Sequence, residues 1–161
     1  MITKGQKIPS VTLKQVTADG MSDVDTAQLF AGKKAVMFSL PGAFTPTCSQ
    51  QHLPSYIQKL PELKAAGIDM IACLSVNDAF VMKAWAEQHD ALGKIVMLAD
   101  GSGAFTKALG IELDLVARGL GVRANRGVFT IDNSTVTAVE MEAPGKFEVS
   151  SADACLLGLK K

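Results

Sequence analysis

The sequence predicts an α/β fold with a mixed central sheet, and three observations carry that reading. Short apolar runs at 36–40, 68–76 and 95–98 have the length and content of buried strands. The segments that follow them place apolar residues at helical spacing. Near the C-terminus the order changes, and two strand-like runs flank Asp132-Asn133-Ser134, the pattern of an antiparallel hairpin.

The chain opens with Ile8-Pro9 and an alternation of Val11 and Leu13, and Asp19-Gly20 is a turn. This predicts an N-terminal hairpin laid against the core. Residues 25–30 suit a short helical turn that stops at Gly32. Val36, Met37, Phe38 and Leu40 make the central strand, which Pro41-Gly42 ends. Thr45-Pro46-Thr47 then offers a hydroxyl able to cap and a proline suited to a first helical turn. Leu53, Tyr56, Ile57, Leu60 and Leu63 follow at helical spacing. Pro54 and Pro61 lie within that pattern, so a kinked helix is expected, ended by Gly67.

Residues 68–76 form the second buried strand. Asn77 or Asp78 caps a helix over 79–89 whose inner face is Phe80, Val81, Ala84 and Trp85. Residues 95–98 are the third core strand, and Asp100-Gly101-Ser102-Gly103 turns into a short helix over 104–109. Residues 110–125 mix glycines with apolar residues and read as an irregular excursion. The hairpin over 127–131 and 135–141 follows, and a last helix runs from near Ser151 to the terminal lysines. No repeat, linker or low-complexity segment intervenes, so residues 1–161 read as one domain, long enough to bury a core.

Composition narrows the function. Hydrophobic residues are 48% and charged residues 20%, a globular balance. Sixteen basic residues cancel sixteen acidic ones, and no basic run occurs, so a nucleic-acid partner is not expected. No apolar stretch approaches the roughly 18 residues of a membrane span. The opening MITKGQKIPS holds no apolar signal region. A cytoplasmic setting is expected, or an organelle if a transit peptide has been removed.

Three cysteines are too few, and odd in number, for a disulfide scaffold. No closely spaced Cys-x-x-Cys or Cys-x-x-His offers a zinc site, so neither metal nor cofactor is expected. Three residues after Cys48 stands Gln51. The site therefore suits one attacking thiol better than a dithiol exchanger. Cys48 falls in the first turn of a helix, where free N–H groups and the helix dipole favour thiolate over thiol. By position alone it is either an activated nucleophile or a small, buried, inert residue.

The string PGAFTPTC at 41–48 resembles the active-site signature of the peroxiredoxins, in particular the type II or peroxiredoxin-5-like branch. His52-Leu53-Pro54, CLSVNDAFVMKAWA at 73–86 and LADGSGAFTKALGIELDL at 98–115 resemble the same branch, so the resemblance runs along nearly the whole chain. It implies a thioredoxin-like fold and a thiol-dependent peroxidase acting on hydrogen peroxide and organic hydroperoxides. Cys48 is then the peroxidatic nucleophile. Thr45 offers its hydroxyl to the sulfur and the peroxide, and Pro41 shields the thiolate from water. The resemblance aligns Arg126 with the family's active-site arginine, although Gly127 stands where an aromatic residue is expected. Arg118 and Arg123 are the other candidates for the cation.

His52, one helical turn beyond Cys48, is either a general base or a hydrogen-bonding wall residue. Trp85 reads as core. Phe44 and Phe80 are core rings or, as in related enzymes, part of a homodimer interface. Cys73 in mid-strand reads as buried and inert, and Cys155 carries no pattern. Relatives with an internal resolving thiol carry it just before the last helix, where this chain has Ser150-Ser151. The resemblance therefore implies an external reductant, glutaredoxin with glutathione or thioredoxin, as co-substrate. A redox-sensing or chaperone protein with the same fold is the rival reading.

Overall fold

Pairing of the β-prone runs builds one large sheet, described by a computed structural model over residues 1–160. The strands are β1 (Thr12–Thr17), β2 (Gly20–Asp25), β3 (Lys34–Ser39), β4 (Met70–Ser75), β5 (Val96–Ala99), β6 (Glu112–Leu115), β7 (Gly121–Ala124), β8 (Gly127–Asp132) and β9 (Thr135–Met141). The main sheet has the order β2-β1-β5-β4-β3-β8-β9, and β6 pairs with β7 apart from it. Strands β3, β4 and β5 are parallel, and antiparallel β1 and β8 flank them. The sheet is mixed, as the sequence predicts.

The helices are α1 (Thr26–Leu29), α2 (Leu53–Gln58), α3 (Leu60–Ala65), α4 (Ala79–Gln88), α5 (Ala104–Leu109) and α6 (Ala152–Leu159). They cover both faces of the sheet, which explains why its central strand carries no polar alternation. On β3, Val36 and Phe38 pack into one cluster with Tyr56, Trp85 and Cys155. Ala35 and Met37 pack into the other, with Phe30, Phe105 and Phe129. No helix among the described residues is long and apolar enough to cross a membrane.

Five local expectations need correction. The N-terminal hairpin joins the sheet through β1 and β5 instead of lying on the core. Its turn is Ala18-Asp19, because Gly20, at φ +109°, already pairs with Thr17. The kinked helix is two helices, α2 and α3, broken at Lys59, with a proline in the first turn of each. The inner face of α4 is Ala79, Met82, Trp85 and Ala86, and Phe80 is exposed. Asp78 caps this helix as expected, accepting from the Val81 N–H at 2.9 Å. Residues 110–125 are ordered: β6, a 3-10 turn at Val116–Arg118, then β7.

The C-terminal hairpin follows its sequence closely. Asp132 pairs with Thr135, so Asn133 and Ser134 form a two-residue loop, both left-handed at φ 49° and 62°. The Asn133 side chain also accepts the Gly32 N–H at 2.7 Å, joining this turn to the start of β3.

Candidate active site

Register brings the reactive groups to one end of the sheet. Ser39, the last residue of β3, pairs with Gly127, the first of β8. The loop after Ser39 and the residue before Gly127 therefore leave the sheet side by side. The Ser39 hydroxyl reinforces this by donating to the Asn125 carbonyl at 2.7 Å.

The loop itself is held at several points. Asn77 Oδ1 accepts from the Ala43 N–H at 3.0 Å and from the Ser75 hydroxyl at 2.5 Å. Arg123 donates to the carbonyls of Pro41 and Leu120, so it braces the loop. Phe44 adopts φ +65°, a strained conformation for a bulky residue, with its ring 49% exposed. The Thr45 hydroxyl donates to the Gly42 carbonyl at 2.6 Å, so its hydrogen is engaged within the loop.

Cys48 begins a π-helical turn, Cys48–His52, closed by the Leu53 N–H on the Cys48 carbonyl. The wider turn has a local cause: Pro54 lacks an N–H, and its ring would crowd the Gln50 carbonyl in an α-helix. Trp85 ties this turn to α4 by donating to the Ser49 hydroxyl at 3.0 Å.

Around the sulfur is a buried, ordered chain of hydrogen bonds. Arg126 Nη2 donates to Cys48 Sγ at 3.1 Å, and its Nη1 donates to His52 Nδ1 at 2.9 Å. His52 Nε2 donates in turn to the Ser150 carbonyl at 3.0 Å, and the Tyr56 hydroxyl donates to the same carbonyl at 2.7 Å. Phe38 and Phe147 wall the imidazole, and the Arg126 guanidinium lies over the Phe147 ring, 5.9 Å from its centroid. Burial, and then the charge on Arg126, push the His52 imidazolium down to about 3, against the pull of the Ser150 carbonyl. His52 is therefore neutral, and both ring nitrogens are engaged. That leaves no nitrogen free for a general base and makes His52 the acceptor that orients Arg126.

A cleft of about 470 Å³ ends on Pro41, Thr45 and Arg126, with Leu113, Leu115 and Leu120 as its apolar wall and Arg118 at its exposed rim. Cys48 is fully buried one contact behind, against the Arg126 guanidinium. The arrangement can hold a thiolate against a fixed cation and donate to oxygens placed beside it.

The other thiols sit elsewhere. Cys73 is buried in β4 opposite Phe38, and burial, then Cys48, push its thiol well up. Burial in α6 pushes Cys155 up to about 11. Phe44 and Phe80 do not join the site. They are exposed, Phe80 by 76%. Gly127 leaves the volume of a side chain to Met141, whose Sδ would lie 2.3 Å from an added Cβ. The sequence did not reveal Ser150, Asn77 or Phe147 as neighbours of the site. A backbone carbonyl 98 residues from His52 leaves no residue-type signal.

The chain matches the family model described as Redoxin over residues 3–156. It is 46% identical to Peroxiredoxin-2C of Arabidopsis thaliana over 159 residues, 98% of each chain. It is 49% identical to the chloroplastic Peroxiredoxin-2E-2 of Oryza sativa subsp. japonica, covering 98% of this chain and 72% of that one. Among solved structures, reduced Prx3 of Vibrio vulnificus in complex with H2O2 superposes with a TM-score of 0.93 at 53% identity, over 99% of both chains.

Proposed function

This chain belongs to the peroxiredoxin family, and from that premise we propose how its residues divide the work of a thiol-dependent peroxidase. Cys48 attacks as the thiolate. Its sulfur bonds to the terminal oxygen of the hydroperoxide, the O–O bond breaks, and the electron pair leaves on hydroxide or alkoxide, which water protonates. Cys48 becomes the sulfenic acid. Arg126 stabilises both the thiolate and the leaving oxygen, and His52 holds the guanidinium in that orientation. Thr45 turns its hydroxyl to the bound peroxide, and Pro41 presents an apolar wall without a donor. The observation that carries this reading is the 3.1 Å contact of Arg126 Nη2 with Cys48 Sγ, backed by the second contact to His52.

An external thiol condenses with the sulfenic acid and a second displaces it, releasing Cys48 and the oxidised reductant. Glutaredoxin with glutathione, or thioredoxin, fits this role. The support is the placement of Cys73 and Cys155 in rigid elements, buried and with raised thiols. Three free thiols also suit a reducing compartment such as the cytoplasm. A homodimer forms through the active-site end: exposed Phe44 and Phe80 are the anchors, and Phe80 borders a hollow of about 540 Å³ with Leu13 and Met21.

The test is peroxide consumption by wild type and Cys48→Ser with each reductant. Turnover by wild type and none by Cys48→Ser is expected. Equal rates would overturn the assignment.

A further inference from the structure

One buried titratable group has no part in the chemistry above. Glu142 follows β9, is 4% exposed, and forms no ion pair among the described residues. A carboxylate buried without partners would be costly. Here its Oε2 accepts the N–H groups of Glu148 at 2.7 Å, Val149 at 3.0 Å and Ser150 at 3.0 Å, and the Ser150 hydroxyl at 2.7 Å. Oε1 accepts the Val149 N–H at 3.2 Å. Burial alone would push this carboxyl up, but the Ser150 hydroxyl and the three N–H groups outweigh it and hold it below the usual range.

The clasp folds residues 148–150 around one oxygen. It thereby fixes the Ser150 carbonyl, which accepts from both His52 Nε2 and the Tyr56 hydroxyl. A carbonyl accepts only, so the His52 proton must sit on Nε2, leaving the Nδ1 lone pair for Arg126. Glu142 also donates its own N–H to the Arg126 carbonyl at 2.9 Å. One residue thus supports the arginine from its backbone and, through Ser150 and His52, from its side chain.

We propose that Glu142 is a positioning residue for the peroxidase reaction: its carboxylate clasps residues 148–150 so that the Ser150 carbonyl fixes His52, which aims Arg126 at the Cys48 sulfur. The assignment rests on the peroxidase reading and extends it to a residue that touches neither substrate nor sulfur. Removing the clasp frees the carbonyl, the imidazole tautomer and the guanidinium in turn.

The test compares wild type with Glu142→Ala, Glu142→Asp and Glu142→Gln. Three readouts are taken: the single-turnover rate constant for hydrogen peroxide, thermal stability, and the nitrogen NMR signals of His52. Glu142→Ala should lower the rate constant about 10- to 100-fold per folded molecule and abolish the signature of a fixed Nε2–H tautomer. Glu142→Asp, one methylene short, should do the same if the alanine variant fails to fold. Glu142→Gln, which keeps an oxygen at the Oε2 position, should recover most of the rate. A folded alanine or aspartate variant with the wild-type rate and the wild-type His52 signals would overturn the proposal, whatever its stability. An inactive wild type would instead overturn the peroxidase reading on which it rests.

Discussion

Acid should destabilise this protein through His52 by an amount the structure sets. In the native state burial and the Arg126 guanidinium hold the imidazolium down to about 3, from 6.5 for a free imidazole. Between those values the unfolded chain binds a proton that the native chain refuses. Stability from this group is therefore complete above about pH 6.5 and is lost as the pH falls towards 3. Each pH unit is worth about 1.4 kcal/mol, so the two units down to about pH 4.5 remove on the order of 3 kcal/mol, and the whole window about 5 kcal/mol. His52→Gln has nothing to titrate there and keeps an amide oxygen able to accept from Arg126. Urea unfolding at pH 7 and at about pH 4.5 should show wild type losing at least about 2 kcal/mol more than the variant. Carboxylates such as Glu142 are common to both proteins and cancel in the difference. Equal losses would mean that His52 accepts a proton in place, and would refute its role as the neutral partner of Arg126.

Arg126→Ala should slow attack on peroxide about 100-fold or more, read from the fluorescence of Trp85, which bonds to the neighbour of Cys48. A wild-type rate would move the cation to Arg118 at the cleft rim, since Arg123 is committed to the loop carbonyls. Gly127→Ala should cost about 1–3 kcal/mol in denaturant unfolding, because the new Cβ meets Met141 Sδ and, at 3.0 Å, the Glu140 carbonyl. Adding Met141→Ala should restore part of that loss, and no restoration would place the whole conflict at the backbone. Sedimentation of the reduced protein at micromolar concentration should show a dimer and Phe80→Asp a monomer; a monomeric wild type would refute the interface.

How far the sequence could be read depends on the range of the interactions involved. Strands β3, β4 and β5 were legible because burial on both faces leaves unbroken apolar runs. The cap at Asp78, one of two candidates with Asn77, was legible because capping is local, its side chain accepting an N–H three residues on. Phase was less secure. The helix over Ala79–Gln88 begins where expected, yet Phe80 and Ala84, read as its inner face, are exposed, and Ala79, Met82, Trp85 and Ala86 are buried. The β6–β7 hairpin was missed because Gly119 and Gly121 mask its short alternation of exposed and half-buried residues.

The motif placed Cys48, Thr45 and Pro41 at one loop, and the start of β8 supplied Arg126 beside them. What the sequence left open was the chemistry of His52. Spacing put it one turn from the sulfur, but whether it bases or accepts depends on Ser150 and Arg126, 98 and 74 residues away. Glu142 was illegible for the same reason, since its partners are mainly backbone N–H groups that every sequence supplies.

The central claim is that Cys48 alone among the three thiols meets the peroxide and is recycled from outside the chain. Mass spectrometry of the protein after one equivalent of hydrogen peroxide, with no reductant present, tests it most directly. Cys48 should be found as sulfenic acid or a more oxidised form, Cys73 and Cys155 should remain thiols, and Cys73→Ser and Cys155→Ser should leave that pattern unchanged. A quantitative Cys48–Cys73 or Cys48–Cys155 disulfide within one chain, or an unoxidised Cys48, would contradict it.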